Sequence, residues 1–440
     1  MKNLLLLITI VLSTNLSAQD FERQKMDSLF TLIESNQKGM GSISIFEEGR
    51  EAYQHSFGYA SKEGNIKATD KTKYRIGSIS KTFTASIIMK LIEEGKLSLT
   101  TKLSEYYPEI ENSKEITIAQ LLKHRSGIFN FTNAEDFTSW MEQPISKADL
   151  VKKIAANGSV FEPNAKFEYS NSNYVLLSFI AEKVENKALA QLIKEMVCMP
   201  CALENTYYGS KISTKNNEAK SYIKSSEWQL APESDMSIPQ GAGAVVSTPQ
   251  ELNKFLNCLF NNKIVSEKTV QAMMEIEDGY GLGMFQVPFY DKKAYGHNGA
   301  IDGFQANAYY FPVENVSVAF TANGLAMPIN DIMIGVLSIY FGKEYSLPEF
   351  KETKALDLKS EDLDKYLGVY SSPGFPLKIT ITKKDNILIG QATNQPSFPL
   401  EAYETDKFKF EQAGLVLEFS PLDHKMLLKQ GGGKYELSKE

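Results

Sequence analysis

The four residues Ser78-Ile79-Ser80-Lys81 open a helical pattern and place a hydroxyl and an amine three positions apart. Apolar residues then recur every fourth position up to Leu91, and Gly95 ends the predicted helix. Side chains three residues apart share one helix face, so Lys81 can take the hydroxyl proton of Ser78 once burial lowers its pKa. Ser-x-x-Lys also occurs at two other places in the chain. The alternative is therefore a serine that only caps a helix, beside a solvated lysine.

A second motif, Tyr169-Ser170-Asn171, follows farther along the chain, and only one of the 21 tyrosines has this spacing to an asparagine. A phenol near an ammonium group has its anionic form favoured, which makes Tyr169 a second candidate base. The amide of Asn171 offers a donor and an acceptor to a substrate amide. The alternative for Tyr169 is a half-buried aromatic residue with a satisfied hydroxyl.

A third motif, His297-Asn298-Gly299-Ala300, lies in a strand pattern. Gly299 allows close approach to the backbone, so a strand beside Ser78 would present the Ala300 N–H, with that of Ser78, to an oxyanion. His297, Gly299 and Ala300 are thus predicted to line the substrate site with Asn171, although a lone histidine is more often structural. No His, Asp or Glu cluster has metal-ligand spacing, so neither a metal nor another cofactor is expected.

Composition narrows the class of protein. The chain has 440 residues, of which 42% are hydrophobic and 23% are charged, as in soluble globular proteins of two or three domains. The net charge is −7 without a long block of one sign, which excludes the basic face that nucleic acids require.

The N-terminus has the pattern of a secretory signal peptide. A basic start at Lys2 precedes an apolar run from Leu4 to Leu12, and small residues end at Ala18, after which cleavage is predicted. The apolar run is too short to cross a bilayer, which needs about 20 residues. The sequence therefore predicts a signal peptide over 1–18 and an exported protein, periplasmic or secreted, without a membrane span.

Three cysteines are too few for a disulfide framework. Cys198 and Cys201 follow a helical run, at the helix end whose dipole disfavours a thiolate. We therefore expect a local disulfide or two unreactive thiols there rather than a redox site. Cys258 stands among leucines and is predicted to be a core residue.

Strand patterns near both ends enclose a mainly helical part of the chain. A hairpin is predicted over 41–59, a second over 309–321, and helices between about 100 and 275. This order predicts an α/β fold, with an antiparallel sheet flanked by helices and a helical insertion. A polar linker over 343–360 then leads to short strand candidates over 361–440, which predict a small all-β domain, sandwich or barrel.

The three motifs, in this order, resemble those of serine hydrolases related to class C β-lactamases, DD-peptidases and esterases. Further matches are 121–127 and 241–252, and the likeness runs from about residue 25 to 342. The resemblance implies the penicillin-recognising fold over 19–342, an acyl-enzyme on Ser78, Lys81 and Tyr169 as bases, and Asn171 as a substrate contact. The part from about residue 360 resembles the lipocalin-like domains appended to many such hydrolases.

Two departures bear on activity. Asn173 and the stretch 198–203 differ from the usual residues, and both are expected to be peripheral. His297 stands where β-lactamases and penicillin-binding proteins have a lysine that pairs with the substrate carboxylate, and a free imidazole is only about a quarter protonated at pH 7. The likeness is therefore closer to the esterase and aminopeptidase branch. We expect an esterase, D-residue peptidase or β-lactamase-like enzyme that cleaves esters or small amides, with weak or absent β-lactam turnover. Its substrates would be small molecules or peptides, cell-wall compounds among them. The alternative is a non-catalytic module that binds peptidoglycan fragments or penicillin. Oligomeric state stays open.

Overall fold

The computed structural model describes residues 21–350, 356, 358–393, 397–410, 413–430 and 433–440. The predicted signal peptide lies outside the described residues, as does part of the predicted linker. Within the described part of the chain, no helix has the length and apolar character needed to cross a membrane.

Helices and strands alternate in blocks along residues 21–350. The helices are α1 (Arg23–Ser35), α2 (Ser80–Glu93), α3 (Ile118–Leu122), α4 (Phe137–Trp140), α5 (Lys147–Ala156), α6 (Asn171–Glu185), α7 (Leu189–Leu192), α8 (Gln240–Gly243), α9 (Pro249–Phe260), α10 (Glu267–Met273) and α11 (Ile329–Tyr340). The strands are β1 (Gly39–Glu47), β2 (Arg50–Phe57), β3 (Tyr59–Ser61), β4 (Ile66–Lys67), β5 (Tyr74–Arg75), β6 (Tyr207–Tyr208), β7 (Tyr222–Lys224), β8 (Trp228–Leu230), β9 (Val245–Ser247), β10 (Phe285–Phe289), β11 (Lys292–Ile301), β12 (Phe304–Phe311) and β13 (Val316–Leu325).

Six of these strands form one antiparallel sheet in the order β10-β11-β12-β13-β1-β2. β1 pairs with β13, with Ile43 opposite Phe320, so the two ends of this part of the chain meet in the middle of the sheet. All residues of β13 are buried, because helices cover both faces of the sheet. This arrangement confirms the predicted antiparallel sheet flanked by helices with a helical insertion.

Helices α1 and α11 pack on one face, where Phe30 of α1 and Val336 of α11 share a core with the sheet. Helix α9 packs on the other face, against β1, β12 and β13. Its N-terminus is capped, because the Thr248 hydroxyl accepts a hydrogen bond from the Glu251 N–H and Pro249 occupies the first turn.

Helix α2 is the central helix of the insertion. Every residue from Ser80 to Met89 is buried, which is the pattern of a helix surrounded by protein. It contacts α6 and α8, so its first turn lies in the interior of the molecule beside the sheet. This position removes Lys81 from solvent.

The C-terminal part is a closed eight-stranded barrel, which decides between the predicted sandwich and barrel. A 3-10 helix (Ser360–Tyr366) precedes β14 (Gly368–Ser372), β15 (Phe375–Lys384), β16 (Ile387–Ala392), β17 (Phe398–Glu404), β18 (Lys407–Phe410), β19 (Leu415–Ser420), β20 (Lys425–Gln430) and β21 (Gly433–Lys439). Phe408, Leu417, Met426 and Leu437 are among the buried side chains that fill its core.

Neither predicted arrangement of Cys198 and Cys201, a local disulfide or two unreactive thiols, is the one observed. Cys201 forms a disulfide with Cys258 of α9, with Cα atoms 5.5 Å apart, while Cys198 is a buried free thiol. The Cys198 thiol instead donates to the Thr206 carbonyl at 3.3 Å, and burial raises its pKa to about 12. Cys258 is buried as expected, but it links two distant segments of the chain.

Removing this disulfide is expected to destabilise the protein. The bridge closes a loop of 57 residues, so replacing both Cys201 and Cys258 with alanine should lower the free energy of unfolding by about 2–4 kcal/mol. Urea denaturation of the oxidised proteins measures this change. Cys198→Ala is the control that keeps the bridge, and an equal midpoint for both variants would contradict the expectation.

Candidate active site

Ser78 lies in a 3-10 turn (Gly77–Ile79) that leads directly into α2. The α-helix therefore starts at Ser80, two residues later than the sequence predicts. The Ser80 hydroxyl accepts a hydrogen bond from the Val245 N–H at 3.0 Å, which fixes the turn against β9. Ser78 is partly exposed, so a substrate can reach this residue.

The Lys81 amine has three polar neighbours. Its Nζ lies 2.9 Å from Ser78 Oγ, 2.7 Å from Asn171 Oδ1 and 2.8 Å from the Ala242 carbonyl oxygen. The amide oxygen and the carbonyl oxygen can only accept hydrogen bonds. In a neutral amine, the two N–H bonds serve these oxygens and the lone pair remains for the Ser78 hydroxyl.

Burial favours this neutral form. The side chain of Lys81 is fully buried, and desolvation lowers its pKa well below the ordinary value of 10.5. None of its three hydrogen-bond partners is a carboxylate. The cation therefore has no counter-ion among these contacts to offset its lost hydration.

Tyr169 and Asn171 meet the other two residues at the start of α6. The Tyr169 hydroxyl hydrogen-bonds with Ser78, and its ring centre lies 4.9 Å from Lys81 Nζ. Burial raises the pKa of Tyr169 above its ordinary value of 10, an effect that the hydrogen bond with Ser78 only partly opposes. The structure thus favours a neutral phenol, whereas the sequence argument from a nearby ammonium predicted a phenolate.

His124 supports the loop that carries Tyr169. The two rings are in contact at an angle of 33°, with centres 4.2 Å apart, and His124 Nδ1 accepts a hydrogen bond from the Ser170 N–H at 3.2 Å. The Asn173 amide lies 3.3 Å from the same nitrogen and accepts from the Ser126 hydroxyl at 2.6 Å. Asn173 is fully buried behind the loop, so the expectation that it is peripheral was wrong. The only sequence signal for this support was the family match over 121–127.

Strand β11 lies against the turn that carries Ser78. A Cβ atom added to Gly299 would lie 2.0 Å from the Ile76 oxygen and 3.0 Å from the Ser78 nitrogen. A Cβ atom added to Gly77 would lie 2.7 Å from the Ala300 nitrogen. The two backbones are thus in direct contact, and the N–H groups of Ser78 and Ala300 lie on neighbouring segments, as the third motif predicts.

Gly299→Ala is expected to damage the site without removing a polar group. The new methyl group must displace one backbone, and a shift of about 1 Å at a catalytic site can cost about 10²-fold in rate. We expect kcat/KM to fall by about that factor. Gly374→Ala is the control, because its added carbon would have no neighbour nearer than 3.9 Å. A folded Gly299→Ala protein with the wild-type kcat/KM would contradict this contact.

His297 is held beneath the cleft rather than presented to it. It is 2% exposed, and its ring nitrogens lie 2.5 Å from the Asn298 carbonyl oxygen and 2.9 Å from the Tyr280 hydroxyl. Because the carbonyl can only accept, Nδ1 carries the proton and Nε2 accepts from Tyr280. Burial and the nearby Lys81 lower the pKa of His297 to about 3, so this imidazole supplies no cation.

Residues 19–331 match the family model described as Beta-lactamase. The chain belongs to the beta-lactamase family. This is a family of serine hydrolases, so the resemblance and the fold class predicted from the sequence are both confirmed.

Two curated relatives of this beta-lactamase-family chain have different names. PbpX of Bacillus subtilis, named as a penicillin-binding protein, is 27% identical over 267 residues, or 60% of this chain and 65% of the relative. The teichoic acid D-alanine hydrolase of Staphylococcus aureus is 26% identical over 291 residues, or 64% of this chain and 70% of the relative. The chain thus spans about two thirds of the length of these relatives.

A solved structure shares the fold. The D-amino acid amidase from Ochrobactrum anthropi SV3, complexed with L-phenylalanine amide, superposes with a TM-score of 0.65 at 22% identity. The match covers 72% of this chain and 99% of that protein. The rest of this chain lies outside the match.

A cavity of about 690 Å³ lies beside the cluster of Ser78, Lys81 and Tyr169 in this beta-lactamase-family protein rather than within it. Its lining includes Tyr208, Ser210, Glu233, Ser234 and Gln240, but not Ser78, Lys81 or Tyr169. No sequence pattern predicted it. Within the described residues, no group of three or more His, Cys, Asp or Glu side chains is arranged to hold a metal.

Proposed function

We propose that this protein is an exported serine hydrolase that forms an acyl-enzyme on Ser78 and cleaves small esters or amides, D-aminoacyl esters and amides foremost. The observation that carries the proposal is the environment of Lys81. Its two N–H acceptors, Asn171 Oδ1 and the Ala242 carbonyl, leave the amine lone pair for the Ser78 hydroxyl 2.9 Å away.

Acylation begins with proton transfer from Ser78 Oγ to the neutral Lys81 amine as Oγ attacks the substrate carbonyl carbon. The carbonyl oxygen becomes an oxyanion, which the N–H groups of Ser78 and Ala300 stabilise. The neutral Tyr169 then donates its hydroxyl proton to the leaving alcohol or amine and recovers a proton from Lys81. Lys81 is the main base, and Tyr169 relays the proton.

Deacylation reverses these roles. A water molecule attacks the acyl carbon, its proton passes to the Tyr169–Lys81 pair, and Ser78 Oγ leaves as a hydroxyl that regains its proton. The amide of Asn171 is positioned by Lys81 at its oxygen and by the Thr132 hydroxyl 3.2 Å from its nitrogen. This orientation supports its role as a contact for the substrate amide.

The neutral His297 argues against substrates with a carboxylate next to the scissile bond. His297, at the position of the family's lysine, is neutral and has both nitrogens engaged by protein groups. A substrate carboxylate next to the scissile bond would lack the cation that β-lactamases supply. The names of the relatives, a teichoic acid D-alanine hydrolase and a D-amino acid amidase, support D-aminoacyl groups as substrates.

A substrate panel tests this assignment. Purified protein is assayed with a D-alanyl ester, its L-enantiomer, D-alanine amide and a chromogenic cephalosporin. A missing charged hydrogen bond is worth about 1.5–3 kcal/mol, so kcat/KM for the D-alanyl ester should exceed that for the cephalosporin by roughly 10–10²-fold. Faster cephalosporin turnover would overturn the substrate class. Penicillin binding without turnover of any substrate would favour the non-catalytic module instead.

We further propose the division of the chain that its sequence suggests. Residues 1–18 direct export, 19–342 form the hydrolase domain, 343–360 link it to the barrel, and 361–440 form an accessory domain. The packed core of the barrel supports a role for its outer surface rather than an internal ligand site. The chemistry proposed for Ser78, Lys81 and Tyr169 requires no cofactor.

A further inference from the structure

A buried ion pair outside the catalytic set joins the two segments that carry the oxyanion donors. We propose that Arg75 and Asp302 are positioning residues that hold the N–H groups of Ser78 and Ala300 at the spacing the oxyanion needs. This inference rests on the proposed acyl transfer at Ser78. Neither residue touches the reacting atoms, so both act through the backbone.

The pair links the end of β5 to the end of β11. Arg75 ends β5 and stands two residues before Gly77, while Asp302 follows the end of β11 and stands two residues after Ala300. Arg75 Nη1 donates to Asp302 Oδ2 at 2.8 Å, and the two side chains are 2% and 0% exposed. The ion pair therefore connects the residue before the turn that carries Ser78 with the residue after the strand that carries Ala300.

Further hydrogen bonds fix both members of the pair. Asp302 Oδ1 accepts from the N–H and hydroxyl of Ser234 at 3.0 and 2.6 Å. Arg75 donates to the carbonyls of Ser234 and Ser210 at 2.8 and 2.9 Å. Both oxygens of the carboxylate and both terminal nitrogens of the guanidinium are thus engaged, and neither side chain can rotate without breaking several bonds.

Stability alone does not account for such a pair. Burying two charges costs several kcal/mol of hydration per ion, and replacing a buried ion pair by apolar residues is often neutral or stabilising. An ion pair whose carboxylate oxygens and terminal guanidinium nitrogens are all hydrogen-bonded instead fixes geometry. The site beside it is sensitive to geometry, because losing one oxyanion donor costs about 10²–10³ in rate.

Glu233 provides a matched control. Its carboxylate also accepts from Arg75, at 2.9 Å, but its side chain is 33% exposed. It lines the neighbouring cavity and does not contact β11 or Asp302 in this bond. Glu233→Gln keeps an acceptor oxygen for Arg75 and leaves the bond to Asp302 in place. It should therefore preserve the wild-type kcat.

The test uses full-length Asp302→Asn, Arg75→Lys and the double variant with a D-alanyl ester. We expect kcat to fall by about 10–10²-fold in each single variant while KM stays within about threefold. The double variant should lose little more than the worse single variant, because the two residues act as one unit. Rates are divided by the number of sites that a fluorophosphonate labels to completion, so that misfolded protein does not count.

A boronic acid analogue of the ester separates positioning from a merely structural role. Its tetrahedral adduct on Ser78 needs both oxyanion donors, so its affinity should fall by the same factor as kcat. The inference would be overturned if the variants kept the wild-type kcat and boronate affinity per labelled site. It would also be overturned if they only yielded less folded protein. Absence of turnover and adduct in the wild type would instead refute the proposed function and this inference with it.

Discussion

Replacing Ser78 with alanine is expected to lower kcat/KM by about 10⁴-fold or more, because loss of a serine nucleophile leaves only binding and oxyanion stabilisation. The substitution removes one hydroxyl that is partly exposed, and folding should be unaffected. Labelling by a fluorophosphonate should disappear with turnover. Both losses should occur together, since the same oxygen reacts with substrate and with probe.

The chain offers two controls for this experiment. Ser35 also precedes a lysine by three residues, but its hydroxyl bonds to the carbonyl of Leu32 on the exposed face of α1. Ser86 lies on α2, the helix that follows the turn with Ser78. The Ser86 hydroxyl donates to the carbonyl of Thr82. Alanine at either position should preserve turnover and labelling. A Ser78→Ala protein that retains even a tenth of wild-type kcat/KM would refute the nucleophile.

Replacing Lys81 with methionine is expected to lower kcat/KM by about 10²–10⁴-fold, the range that a positioned base contributes. Methionine removes the amine without burying a new charge, so the effect reports the base rather than an unpaired cation. The Ser78 hydroxyl would remain but lose its proton acceptor. A loss below tenfold would show that another group accepts the proton.

The pH dependence of kcat/KM identifies the reactive form of Lys81. Burial lowers its pKa well below 10.5, and only the neutral amine accepts a proton. Activity should therefore rise with pH as the amine loses its proton and reach its plateau well below pH 10.5. This limb should vanish in Lys81→Met. A limb centred at the ordinary lysine pKa would contradict the buried neutral amine.

Much of the site follows from local sequence, because its parts lie on short continuous segments. The spacing of Ser78 and Lys81 puts both on one helix face, and the order of the motifs identified Tyr169, Asn171 and the strand with Gly299. Burial raises the pKa of Tyr169 and lowers that of Lys81, which opposes the phenolate predicted for Tyr169. Local sequence could not show this, because burial depends on residues far away in the chain. Sequence reasoning could name the groups but not their charge.

Long-range pairings account for what the sequence did not reveal. Cys201 and Cys258 are 57 residues apart and Arg75 and Asp302 are 227 apart, so no local pattern connects them. In the barrel, local composition does not identify the strands Phe398–Glu404 and Lys425–Gln430. The first contains Pro399 and two glutamates, and the second has charged or polar ends, so neither has a clear strand composition.

Mapping the covalent adduct tests the central claim most directly. Purified protein is treated with a fluorophosphonate until ester turnover stops, and its intact mass and tryptic peptides are measured. A single adduct on Ser78, absent from Ser78→Ala and slow to form in Lys81→Met, is the predicted result. Inhibition with the adduct on another residue, or without any adduct, would contradict an acyl-enzyme formed on Ser78.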